Sequence, residues 1–273
     1  MKLRSIDAIM HYIIKSAFYK YGCGGDKYIL ACLSRIIALG QQFDCGNYSL
    51  RKANLFSKKN KVSPSPKYDA LSLYALQSCI IAYSGCYDTI LQIVNFGLHL
   101  SGPIQTKQDL KNIIEECKWQ TPKNDQLGFV GLEDKLKARL PNVEIYTLIS
   151  KINELFRHRS TIASYANSLK HGGGLVTNQF MHYIPDMKIV EGVTVCVNKK
   201  DNSVKIDIDE RMTPFDVAWL YPKEIVIADT INQMFQQNQY IYDFVEYFWS
   251  VMEFNQINKM DPLKDTYKVP FLN

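Results

Sequence analysis

The sequence has no G-x-x-x-x-G-K-[ST] loop, no G-x-G-x-x-G after a strand-like run, no G-x-S-x-G, no H-E-x-x-H and no C-x-x-C pair. These absences remove the phosphate cradles, the nucleophile elbow and the zinc frameworks that spacing makes readable. The seven cysteines, at 23, 32, 45, 79, 86, 117 and 196, are odd in number and scattered, so they indicate neither a disulfide framework nor a metal site. A reducing, cytoplasmic setting is expected, with no metal and no cofactor. Met1 to Asp7 begins basic, then turns amphipathic without an apolar core or a small-residue cleavage site, so no export signal is expected. Charge of one sign is also scarce, since +5 over 273 residues does not by itself announce a nucleic-acid binder.

A membrane span is also missing. From Ala70 to Thr106 the only charged side chain is Asp88, but Ser72, Gln77, Ser78, Ser84, Gly85, Gln92 and Asn95 interrupt the run, and no basic clusters flank both ends. The stretch reads as a buried central helix ended near Ser101-Gly102-Pro103. Ser84, Asp88, Gln92 and Asn95 step by four, four and three along it, a polar stripe on an apolar rod. A carboxylate in such a place needs a donor, and Asn167, Lys170 and His171 are the expected ones.

What the chain does have is 47% hydrophobic, 22% charged and 12% aromatic residues, the make-up of a globular protein. Its organising stretch is Pro141 to Gly174. Ile145, Leu148, Ile149, Ile152, Leu155, Phe156, Ile162, Ala163, Ala166 and Leu169 recur at helical spacing as a core face. Arg157, Ser160, Ser164, Asn167 and His171 form a polar stripe on the same helix, which three glycines then stop. Lys170 and His171 sit at the negative end of the macrodipole, which favours their charged forms.

On either side the chain reads as follows. Ser5–Tyr21 and Lys27–Phe43 predict a helical pair, and Asp44–Lys67 a long basic loop with Arg51, Lys52, Lys58, Lys59 and Lys61 able to track phosphate. Short helices are expected near 106–119 and 132–140. Val193–Val197 and Ser203–Ile208 alternate with period two and predict a β-hairpin, with Leu175–Tyr183 as a third strand. Tyr221-Pro222 opens the last helix, whose seam of Ala228, Ile231, Phe235, Tyr242, Val245, Trp249 and Met252 holds one polar member, Asn238. That seam predicts a partner helix, in this chain or a second subunit, with Asn238 fixing register. Residues after Met260 read as a surface tail. The divisions are therefore 1–67, 68–174, 175–215 and 216–273, within one compact domain.

His171 can take a proton from a ribose 2′-hydroxyl while Lys170 and Arg157 supply positive charge and Asn167 a neutral donor. His11, His99, His158 and His182 have no such company, and Arg157-His158-Arg159 reads as basic surface. Tyr87-Asp88-Thr89-Ile90-Leu91-Gln92 on a central helix, then Tyr165-Ala166-Asn167-Ser168-Leu169-Lys170-His171-Gly172 at a helix end, resembles the HEPN superfamily over residues 68 to 174. Members are helical bundles whose signature is an Arg, four to six residues, then His, often with a polar residue after the Arg. His171 fits the histidine and Asn167 the polar residue; Ala166 stands where the arginine is commonest.

The resemblance implies a mainly α, HEPN-like bundle with a small β-hairpin insertion before the C-terminal helix. It implies a homodimer acting on or binding RNA, as a metal-independent endoribonuclease of a toxin–antitoxin or antiviral system with a cognate antitoxin. The expected catalytic set is His171, Lys170, Asn167 and Asp88; the expected RNA contacts are Arg157, Arg159, Arg51, Lys52, Lys58, Lys59 and Lys61. The other reading is a non-catalytic partner-binding or dimerisation module, whose polar stripes specify helix pairing.

Overall fold

A computed structural model describes residues 3–7, 9, 27–117, 132–138, 140, 142–171, 174–177, 189–190, 193–197, 204–207 and 223–257. Among these the protein is mainly helical: α1 Lys27–Val62, α2 Pro66–Gly97, α3 Lys107–Glu116, α4 Leu132–Lys137, α5 Asn142–His171 and α6 Ile227–Ile257. The strands are short: β1 Leu175–Thr177, β2 Ile189–Val190, β3 Val193–Val197, β4 Val204–Asp207 and β5 Lys223–Ile225. Two compact units divide the chain, and α1, α2, α5 and α6 each pass from one into the other. Unit 1 comprises 1–45, 82–160 and 236–273; unit 2 comprises 46–81 and 161–235.

The expected basic loop is instead the second half of α1, a 36-residue helix. Apolar counting misses it because its buried positions carry small or polar residues, Gly46, Asn47, Ser49 and Ala53 around a lone Leu50. Helical spacing is present, but without the large side chains that announce it. The Ser-Pro segment makes only the turn into α2. There Ser65 N–H donates to Asn60 Oδ1 (2.8 Å), Ser65 O accepts from the amides of Tyr68 and Asp69, and Pro66 takes the first helical position.

Three other expectations change. Residues 175–177 do not join the hairpin; β1 pairs in parallel with β5, Leu175 opposite Lys223 and Thr177 opposite Ile225. A parallel pair needs a long crossover, and the hairpin lies within it, β3 pairing antiparallel with β4 and β2 adding the third strand. The last helix begins at Ile227, because residues 223–225 are taken up by that parallel pair. On α6 the buried set is Ile231, Met234, Gln237, Asn238, Ile241, Phe244, Val245, Phe248 and Val251. Asn238 sits among them at 1% exposure and bonds the backbone of the N-terminal segment: its side chain accepts from Arg4 N–H (2.9 Å) and donates to Arg4 O (3.3 Å). The neighbouring Ile6 is fully buried. An amide side chain bonding both backbone groups of one residue does for that segment what a strand partner would.

No helix among the described residues is long and apolar enough to cross a membrane. Residues 8 and 10–21 of the first expected helix, the turn around 121–125, Pro222 and the tail lie outside the described residues.

Candidate functional site

The buried positions of α5 recur as Ile145, Leu148, Ile152, Leu155, Ile162 and Ala166, with Leu169 half-buried. The steps are three and four throughout, apart from one gap of seven, and Arg159 fills that gap. It is therefore a member of the core seam, not of a basic surface. Its side chain is 23% exposed and its Nη2 lies 3.6 Å from Oδ1 of Asp88, which is 42% exposed. Burial lowers the Arg159 pKa from the ordinary arginine value, and the Asp88 carboxylate opposes that shift. Asp88 is thus only half-buried, and within unit 1 a cation beside it is Arg159.

Around this pair unit 1 holds a connected polar set. The buried Tyr87 hydroxyl donates to Oε1 of Gln237, itself 3% exposed, and Gln237 Nε2 donates to the carbonyl of His158 (3.1 Å). The His158 ring stacks on Tyr240, centroids 3.4 Å apart and planes 8° from parallel. Burial pushes the Tyr87 phenol well above its ordinary range, so it stays a neutral donor. Desolvation likewise pulls His158 below the histidine value of 6.5, outweighing the pull of Glu154 toward the charged form, while Arg157 adds to the depression. The arrangement joins three helices by hydrogen bonds. Of the other stripe residues on α2, Ser84 is buried and Asn95 exchanges hydrogen bonds with Ser101 at 2.9 and 3.1 Å.

In unit 2 the end of α5 has the opposite character. Ser164, Asn167, Lys170 and His171 are all exposed, as are Arg157 and Ser160 on the unit 1 part of the helix. Gly174 closes the end: at φ 90°, a conformation that suits glycine, its N–H bonds Ser168 O (3.3 Å) and its carbonyl accepts from Ser168 Oγ (2.9 Å). The same carbonyl also accepts from Lys223 N–H (2.9 Å), the first residue of β5. From there the Lys223 amine donates to Ser164 Oγ and lies 4.7 Å from the centre of the Tyr165 ring, whose hydroxyl donates to Gln233 Oε1 (3.1 Å). The Lys223 amine thus lies over the Ser164–Tyr165 turn of α5, one to two turns before Asn167, Lys170 and His171.

Sequence reasoning missed Lys223, because only the parallel β1–β5 pairing brings it there. Arg159 was misread as surface although its phase with Ile145 and Leu155 was legible. Ala166 is 1% exposed on the seam, so an arginine at the family's usual spacing would point into the core.

The remaining expected contacts lie on α1. Arg51, Lys58, Lys59 and Lys61 are exposed, while Lys52 is half-buried with its amine 5.4 Å from the Tyr48 ring centre. Between 46 and 81 six Lys and Arg face a single carboxylate, Asp69, which is buried and accepts from Thr177 Oγ1 (2.8 Å). The accessible charge of that segment is therefore entirely positive. Among the described residues no three His, Cys, Asp or Glu side chains are grouped as metal ligands would be. No family model matches the chain, and neither does any curated protein or solved structure.

Proposed function

We propose that the chain is a HEPN-like RNA-binding protein that holds RNA at the C-terminal end of α5. The observation that carries this reading is the exposed set of Asn167, Lys170 and His171 at the end of α5, with the Lys223 amine at Ser164 one to two turns before it. Two ammonium groups meet phosphate, Asn167 offers an amide to a base edge or a 2′-hydroxyl, and the His171 ring adds a further hydrogen-bonding group. The HEPN assignment, the homodimer and a place in a toxin–antitoxin or antiviral system rest on the resemblance of residues 68 to 174. Ala166 favours binding over cleavage, since it stands on the helix of His171 where the family's arginine is commonest.

A second reading, metal-independent cleavage, is favoured by the exposure of His171 directly after Lys170. His171 would take the proton of a 2′-hydroxyl, whose oxygen would attack the adjacent phosphorus. The 5′-oxygen would leave with a proton from water, giving a 2′,3′-cyclic phosphate. One experiment separates the two: a labelled pool of structured RNA is incubated with the protein in excess EDTA, then assayed for retention and for fragment ends. Retention of intact RNA, weakened in Lys170→Ala, is the expected result. Cleavage that disappears in His171→Ala would establish the second reading, and failure to retain RNA at low salt would refute both.

A further inference from the structure

Tyr48, Leu55 and Val62 on α1 are 63, 45 and 88% exposed. They are spaced seven apart, so at about 100° per residue they lie within about 40° of one another, an apolar line roughly 20 Å long on the outer side of α1. The inner side of the same turns is accounted for, with Leu50 and Ala53 buried and Ala53 O accepting from Ser72 Oγ (2.8 Å). The same helical angle sets Arg51 and Lys58 along one border of the line and Lys52 and Lys59 along the other, each within about 60° of it, whereas Lys61 is turned away. Higher up α1, Leu30 and Ile37 are again exposed and seven apart.

We infer that this face of α1 docks an acidic amphipathic helix of a partner protein. A seven-residue apolar interval is the repeat by which helices pair, and flanking charges then choose the partner. Four cations bordering three apolar side chains select Glu and Asp on both flanks of the incoming helix. A second copy of this chain is disfavoured at this face, because the same four cations would oppose their own kind in either orientation. A nucleic acid would use the cations but not Leu55 or Val62, whose exposure a helix relieves. The inference goes beyond the RNA reading, which concerns another helix end.

The test is fluorescence anisotropy with the full chain and three labelled probes: a three-heptad peptide with leucines seven and three or four apart and Glu on the flanks, the same peptide with Lys on the flanks, and a short single-stranded RNA. The acidic peptide should bind at least tenfold more tightly than the basic one at low salt. Leu55→Ser/Val62→Ser should weaken it tenfold or more, and Lys58→Ala/Lys59→Ala should weaken it and flatten its salt dependence. Circular dichroism of both variants should match that of the wild type, because the substituted side chains face water. His171→Ala should leave peptide binding unchanged. Equal binding of the two peptides would overturn the inference, as would an RNA affinity lost in Leu55→Ser/Val62→Ser, or self-association abolished by that variant.

Discussion

Arg159 and Lys170 belong to one helix and to one chemical class, yet they do opposite things. Arg159 falls in phase with Ile145, Leu155 and Ile162, so it enters the seam of unit 1 and takes Asp88 with it. His171 falls out of phase with that seam, and Lys170, four residues after Ala166, reaches it only in the last turn of the helix; both stay in water. The lesson joins phase to position: a basic residue in the middle of the seam belongs to the core's polar wiring, and one at the end of the helix stays in water even when it is in phase. Eleven residues, about 16 Å of helical rise, separate the two on α5.

The sharpest way to break this contrast is to put the family's arginine where its usual spacing requires. Ala166→Arg forces a guanidinium into a position that is 1% exposed, and should cost about 3 kcal/mol or more through overpacking and an uncompensated charge. Urea denaturation measures it, and a stable variant would show that the α5 seam is looser than its spacing implies. Asp88→Ala comes next, at about 1–2 kcal/mol, since the pair is partly solvated. Adding Arg159→Met should recover part of that loss, because the seam then holds an apolar side chain; a strictly additive double variant would mean the two side chains do not act as a pair.

Smaller is the pH effect of His158. Its folded pKa lies below 6.5, so the unfolded chain binds the proton more readily and the stabilisation is complete above that value. As pH falls through 6.5 toward the folded pKa, the contribution is lost. Denaturant midpoints measured between about pH 7.5 and 5.5 should therefore fall more in the wild type than in His158→Gln; parallel curves would remove His158 from the account. The smallest effect is expected from Asn167→Ala, Lys170→Ala and His171→Ala, each within about 0.5 kcal/mol of wild-type stability because the side chains are exposed.

The parts of the fold legible in the sequence were those written in large apolar residues. The α5 seam from Ile145 to Leu169, the apolar α2 and the alternating β3–β4 hairpin follow directly from period and turn residues. The second half of α1 was hidden because Gly46, Ser49 and Ala53 pack its inner side, where small side chains let helices approach without raising the apolar count. The β1–β5 pair was hidden for another reason: three-residue parallel strands 48 residues apart carry no local signal, and with them went Lys223. At the candidate site, the exposure of Asn167 and His171 followed from their phase on α5, whereas that of Lys170 and the cation beside Asp88 could not be chosen by spacing alone. Gln237, buried between Tyr87 and the His158 carbonyl, gave no warning among the glutamines of α6.

The central claim is that the end of α5, with Lys223 beside it, is the surface that meets RNA. Its most direct test is the affinity of a labelled single-stranded RNA, measured across a salt series for the wild type and for Lys170→Ala/Lys223→Ala. Losing two phosphate contacts should lower affinity about tenfold at low salt and make the slope of log K against log salt shallower by about 1.4. An unchanged affinity with an unchanged slope would contradict the account, and RNA would then have to be sought elsewhere on the protein or not at all.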